Sequence, residues 1–250
     1  MYLHGRNVLK EILNINNRVK VKRVIFTNQK NADGQINLLK EACYQKGFKV
    51  ESASTNRLAQ LSDEKKHQGV VIEIDKFPYT ELQNLRRKLS RKNKSIIVLL
   101  DRINDPHNLG AIIRTSVAAG VDGVVIPERG SCSITSSVIK VSTGLAFRIP
   151  ITVVPNISKT IDLLKEDGFW FYAATMEGKP YCNEKYSEKS GIILGSEARG
   201  IRDLVSKKCD FKVSIPMEKN VDSLNVAASA AIIIFHMRRK LLKLGDKNGD

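Results

Sequence analysis

The sequence predicts an α/β protein in two parts. A small N-terminal α/β domain covers residues 1–77, a basic linker covers 78–94, and a larger domain built on a mostly parallel sheet covers 95–245. Three observations carry this reading. From Ser95 onward, apolar strand-like runs alternate with helical spacings, as repeated βα units do. Ile96-Ile-Val-Leu-Leu is apolar without interruption, as expected of a strand covered on both faces. The charge is also uneven: net +15 overall, with 14 Lys/Arg against 8 Asp/Glu in 1–77, 6 against 1 in 78–95, and 21 against 17 in the remainder.

In the first part, Gly5–Leu13 has helical spacing through Val8, Leu9, Ile12 and Leu13. Val21–Thr27 reads as a strand. Ile36–Gln45 reads as an amphipathic helix stopped by Gly47. Phe48–Ser52 is a strand, Arg57–Leu61 a short helix and Val70–Ile74 a closing strand. Thr80–Lys94 places leucines at 82, 85 and 89 and predicts a short connecting helix. In the second part, Leu109–Ala119 is a helix and Gly123–Ile126 a strand, followed by a short helix over Ser136–Thr143. The apolar run from Ile149 is a strand or its edge, Ile157–Glu166 a helix, and Phe169–Ala174, Gly191–Gly195 and Phe211–Pro216 are strands. Leu224–Leu244 is a long closing helix.

Composition excludes several classes. No apolar run approaches the roughly 20 residues of a membrane helix, and no targeting pattern opens the chain, so a cytoplasmic protein with no membrane partner is expected. Cys43, Cys132, Cys182 and Cys209 lack metal-ligand or disulfide spacing, and the four histidines are scattered, so no metal site is expected. Neither a dinucleotide fingerprint nor a phosphate loop of the G-x-x-x-x-G-K-[ST] type is present. His107 is a lone loop histidine with no triad signature beside it. The basic excess in the first part and the linker fits a polyanion, with RNA expected and DNA not.

Polar groups gather at three strand ends, where open parallel sheets build ligand sites. After the 96–100 strand, Asp105-Pro106 signals a turn. Asn108 can brace it, and Arg114 lies six residues further on, a candidate phosphate clamp. Gly195-Ser-Glu-Ala-Arg-Gly200 ends another strand. Gly195 leaves room for a ligand against the backbone, and Glu197 is either an orienting acid or a helix-start carboxylate. Ile215-Pro-Met217 offers an apolar wall. Ser223 is a good cap for the last helix, whereas Asn225, one residue inside it, is a mediocre helix former and suggests a site.

Taken in order, these blocks resemble the three motifs of the SpoU/TrmH family of RNA ribose 2′-O-methyltransferases, of the SPOUT class. The matching residues are Asp105-Pro-His-Asn-Leu-Gly with Arg114, then Gly195-x-Glu197-x-x-Gly200, then Ile215-Pro-Met and Ser223-Leu-Asn-Val. Gly5-Arg-Asn-Val and His67-Gln-Gly-Val resemble that family's L30e-like RNA-binding domain. The resemblance is nearest to bacterial enzymes that methylate a guanosine ribose in large-subunit (23S) ribosomal RNA. It implies a deep trefoil knot in the C-terminal domain, a homodimer, and S-adenosylmethionine held around Gly195, Gly200, Ile215, Met217 and Leu224, with Thr175 and Met176 contributing. It assigns Arg114 to hydroxyl activation or phosphate binding, and Asn108, Glu197, Ser223 and Asn225 to shaping the site. Lys219 stands where the family usually has glycine, which puts the local loop shape in question. A transfer RNA substrate, or a non-catalytic RNA-binding or ribosome-assembly role on the same fold, is the alternative.

Overall fold

The computed structural model describes residues 1–15, 18–28, 34–63, 66–221 and 223–242. Asp222 of the third block and the last two residues of the expected closing helix lie outside the described residues. The chain divides into two compact units. One comprises Met1–Pro78 with Ile134–Arg148, the other Tyr79–Ser133 with Ile149–Asp250.

The first unit holds a mixed four-stranded sheet of β1 (Tyr2–His4), β2 (Val21–Thr27), β3 (Val50–Ala53) and β4 (Val70–Ile74), in the order β1-β4-β2-β3. Only β2 and β3 pair parallel. Helices α1 (Arg6–Asn14), α2 (Gly34–Gln45) and α3 (Thr55–Ser62) accompany it. α1 buries Val8, Leu9, Ile12 and Leu13, the stripe its spacing predicts. Residues 134–148 also pack here, although the sequence alternation places them in the larger domain. Their helix α6 (Ser136–Val141) packs on β1, Phe147 stacks on Phe77 at 5.4 Å between ring centres, and Arg148 forms a bidentate pair with Glu11.

The second unit is a six-stranded, wholly parallel sheet ordered β10-β8-β9-β5-β6-β7. Its strands are β5 (Ser95–Asp101), β6 (Gly123–Pro127), β7 (Ile151–Val154), β8 (Trp170–Pro180), β9 (Lys189–Gly195) and β10 (Phe211–Ser214). Every residue of β5 is buried, as its unbroken apolar run requires of a central strand. Helices α4 (Leu82–Ser90), α5 (Pro106–Ala118), α7 (Ile157–Glu166), α8 (Asp203–Lys208) and α9 (Val226–Leu242) belong to this unit. The sequence reading lacked β1 and α8, both short, and started α5 three residues late. Asp105 caps α5 by accepting from the backbone N–H of His107 and Asn108, with Pro106 in the first turn. A proline there loses nothing, because its missing N–H has no partner in a helix start.

The strand order fixes where a ligand can bind. From β5 the chain moves outward through β6 and β7. It then crosses to β8 and lays β9 between β8 and β5 before ending at β10. β5 and β9 are therefore adjacent strands whose chains leave in opposite directions. That is a topological switch point, and the crevice beyond the carboxyl ends of the strands there is where such sheets bind ligands.

Candidate active site

Three blocks far apart in sequence meet at the switch point. Glu197 follows β9, Asn108 lies in the first turn of α5 after β5, and Asn225 precedes α9. The Asn225 amide donates to Glu197 Oε1 at 2.5 Å and to Asn108 Oδ1 at 2.9 Å. The Asn108 amide and the backbone N–H of Val226 donate to the same Glu197 oxygen, at 3.4 and 3.3 Å. One carboxylate oxygen thus collects three donors. The second, Oε2, has no hydrogen bond among the described residues.

Asn225 also explains the start of α9. Its Oδ1 accepts from the backbone N–H of Ala227 at 3.0 Å and of Ala228 at 3.3 Å. It is therefore the cap, and the helix begins two residues later than the sequence spacing predicts. Ser223 lines the neighbouring cavity instead. The reason is local: Glu197 engages the amide NH2 of Asn225, which turns the carbonyl oxygen toward the free N–H groups of the first turn.

The loop after β9 is shaped by chain crossing. A Cβ on Gly195 would sit 2.2 Å from the carbonyl carbon of Gly200 and 2.4 Å from the backbone nitrogen of Ile201. The room that glycine leaves is taken by the chain's own backbone, not only by a ligand as its position at a strand end suggests. Gly200 has φ 60, in the left-handed region that glycine occupies without strain. Its N–H closes the turn onto the Ser196 carbonyl at 2.8 Å. Asp101, fully buried at the end of β5, anchors the loop's far side. Its carboxylate accepts from the backbone N–H of Arg202 at 2.8 Å and from that residue's Nε at 2.9 Å. Sequence reasoning gave neither Asp101 nor Arg202 a role. The usable signal was an acid closing an otherwise apolar central strand, since a buried carboxylate needs a partner.

A cavity of about 560 Å³ adjoins this cluster. It exists because β8 leaves the sheet register. Phe211 and Lys212 of β10 pair with Tyr172 and Ala173, but the next two residues pair with Lys179 and Pro180. Residues 174–178 of β8 are excluded from that pairing, and Thr175 and Met176 line the cavity there, with Met176 exposed. Gly195, Glu197, Gly200, Ile215, Met217, Ser223 and Leu224 line it as well. Leu194, Val213, Val226 and Ile233 add apolar wall, and Asp203, Ser206 and Lys212 add polar groups. Of this second set, Leu194 lies in the strand leading into the second block and Val226 inside the third, neither with a role given to it; Asp203 and Ser206 were missed because α8 is too short to leave a local signature, and Lys212, Val213 and Ile233 read only as strand and helix residues. Lys219 sits in the turn closed by the Val221 N–H on the Glu218 carbonyl, and the left-handed residue there is Asn220, at φ 69. Lysine at 219 therefore brings no backbone strain.

Arg114 is not part of the cavity lining. It is exposed on α5, with no ion pair among the described residues. Six residues of helix carry it about 9 Å along the axis from Asn108, and on to another side of the helix.

Comparison with known proteins places the chain in a family. A family model described as the SpoU rRNA Methylase family matches residues 95–235. The chain belongs to that family. A second model, described as RNA 2′-O ribose methyltransferase substrate binding, matches residues 2–80. The SpoU-family chain is 36% identical over 245 residues to a Staphylococcus saprophyticus protein assigned by name to the TrmH family of tRNA/rRNA methyltransferases, covering 97% of both chains. An AdoMet-bound rRNA methyltransferase from Sinorhizobium meliloti superposes with a TM-score of 0.79 at 24% identity, over 96% of this chain and 87% of that one. A TrmH/SpoU tRNA modifying enzyme from A. aeolicus superposes with a TM-score of 0.56 at 27% identity, over 66% of this chain and 84% of its own. The protein is an RNA methyltransferase of the TrmH/SpoU family.

Proposed function

We propose that this chain transfers a methyl group from S-adenosylmethionine to a ribose 2′-hydroxyl of RNA, at a guanosine of 23S ribosomal RNA. The carrying observation is the cavity beside the Asn108–Glu197–Asn225 cluster. Its volume suits a nucleoside-sized ligand. Leu194, Val213, Ile215, Leu224 and Ile233 offer apolar wall for an adenine, while Glu177, Glu197 and Asp203 suit a cationic donor. The residues present therefore fit the group. When bound, the donor supplies an electrophilic sulfonium methyl.

The chain's own residues supply position. Asn108 and Asn225 fix Glu197 through one oxygen, leaving Oε2 to accept a hydrogen bond from the substrate hydroxyl. Holding a weak nucleophile in line is the larger part of such catalysis. Arg114 binds an RNA phosphate beside the reacting ribose, the role an always-protonated guanidinium performs most readily. Its exposed position outside the cavity of its own chain fits a homodimer in which a second copy completes the site. The half-exposed Leu224, and Phe235 on α9, provide apolar surface for such a contact. The trefoil knot belongs to the same reading, supported by the insertion of β9 between β8 and β5 and the backbone crossing at Gly195. A ribosomal target is favoured because the likeness to the ribosomal RNA enzyme spans both units, whereas the likeness to the tRNA-modifying one covers two thirds of the chain.

The test is transfer of labelled methyl to 23S ribosomal RNA and to transfer RNA, followed by nucleoside analysis. Ribose-methylated guanosine in 23S RNA is expected. Label in transfer RNA alone would move the substrate, base methylation would remove the 2′-O assignment, and no label would leave a non-catalytic RNA-binding protein. An Arg114→Ala chain should lose most turnover while keeping donor affinity.

A further inference from the structure

Among the described residues lining the cavity, Lys212 is the only lysine or arginine, and three acids, Glu177, Glu197 and Asp203, line it as well. Lys212 belongs to β10 and pairs with Ala173, the last residue before β8 leaves register. The excursion of residues 174–178 therefore opens the cavity directly beside it. Lys212, Glu177 and Asp203 make no ion pair among the described residues, while Glu197 is committed through Oε1 to Asn108, Asn225 and Val226. The cavity wall thus includes one lysine without an ion pair and two such acids, Glu177 and Asp203. A methyl donor with an amino-acid tail is the charge complement: one carboxylate, one ammonium and one sulfonium.

We infer that Lys212 receives the carboxylate of the donor's amino-acid tail and makes the site selective for donors whose tail is ionised. The inference rests on the donor reading above and adds a residue outside the three sequence blocks. The physical basis is a charge-assisted hydrogen bond from a mobile ammonium to a carboxylate. Because Lys212 is exposed, the selectivity sits at the lower end of what such bonds provide, about tenfold in affinity.

A two-by-two binding comparison tests it. S-adenosylhomocysteine and its carboxyl methyl ester are titrated calorimetrically against the wild-type chain and against Lys212→Met, which keeps the stem and removes the charge. The wild type should prefer the acid by about tenfold. Lys212→Met should bind acid and ester alike, and Lys212→Arg should restore the preference. Equal binding of acid and ester by the wild type overturns the inference, as does a preference that survives in Lys212→Met. Loss of RNA affinity in Lys212→Met with donor selectivity intact would place the lysine on the RNA instead, which also overturns it. A wild type that binds neither compound removes the donor reading itself, so the two failures are distinguishable. If Lys212→Met does not fold, Lys212→Gln takes its place: it removes the charge but keeps a polar side chain, and a preference for the acid that survives in it at wild-type strength overturns the inference.

Discussion

Asn225 does two jobs with one side chain, and substitution can separate them. Its Oδ1 caps α9 through Ala227 and Ala228, while its amide NH2 ties Glu197 to Asn108. Asn225→Ala removes both. Loss of a cap costs about 1 kcal/mol, which for a chain of this size lowers the melting temperature by about 2–4 °C. Asn225→Asp keeps an acceptor for the helix start, and its charge is favoured at a helix N-terminus, so the cap itself should survive, and any loss of stability should shrink as pH falls. The same change sets a second carboxylate where an amide donor stood 2.5 Å from Glu197 Oε1. Two carboxylates at that range cannot both ionise without penalty, and the pair's proton affinity rises. At neutral pH the cluster is pushed apart and methyl transfer should fall by about a hundredfold, the range for losing a positioned polar contact. As pH falls through the raised value, one proton bridges the pair and activity should recover relative to wild type. The assay is transfer rate against pH for both variants, beside urea unfolding. Asn225→Asp turning over like wild type at neutral pH, or Asn225→Ala unfolding no earlier, would refute the assignment.

Other consequences follow from the loop and from the first unit. Gly195→Ala places a methyl group against the chain's own backbone, which no rotamer can relieve. It should destabilise by about 1–3 kcal/mol in urea unfolding and weaken donor binding in calorimetry. The Asp101–Arg202 pair is asymmetric, because Asp101 is fully buried while the Arg202 side chain is 43% exposed. Arg202→Ala, which leaves a buried carboxylate without its guanidinium, should cost about 3 kcal/mol in denaturant titration, whereas Asp101→Asn, which frees an arginine that can reach water, should cost about 1–2 kcal/mol; the reverse order would contradict the pairing. In the first unit, a hydrogen bond from Arg23 holds Glu73 below the usual carboxylate range, and hydrogen bonds from Lys49 and Arg23 do the same for Glu51. Carboxylates depressed in the folded state stabilise it above their ordinary range, and that contribution is lost as pH falls through the lowered values. Arg23→Met should therefore raise the pH of the acid unfolding midpoint, read by circular dichroism; an unchanged midpoint would show that the pairing does not contribute.

Fold class, the burial of the central strands and the three polar blocks were legible in the residues alone. Each is a local property: an unbroken apolar run such as 96–100, five residues long and set among regular alternations, fits a covered strand, and Asp105-Pro106 marks the turn that ends it, although the sequence spacing starts the helix there three residues late. The sequence also sets which residue types are available for chemistry, down to Asn108, Glu197 and Asn225. How they are used depends on the assembled fold. The cap role of Asn225 depends on Glu197, 28 residues away. The need for glycine at 195 comes from a backbone crossing, and the cavity comes from a register slip between two strands with 30 residues of chain between them. Residues 134–148 likewise join the first unit through contacts with Val8, Glu11 and Phe77 that their own alternation does not encode. Such contacts depend on where distant segments are brought in three dimensions, and no periodicity or motif spacing records that placement.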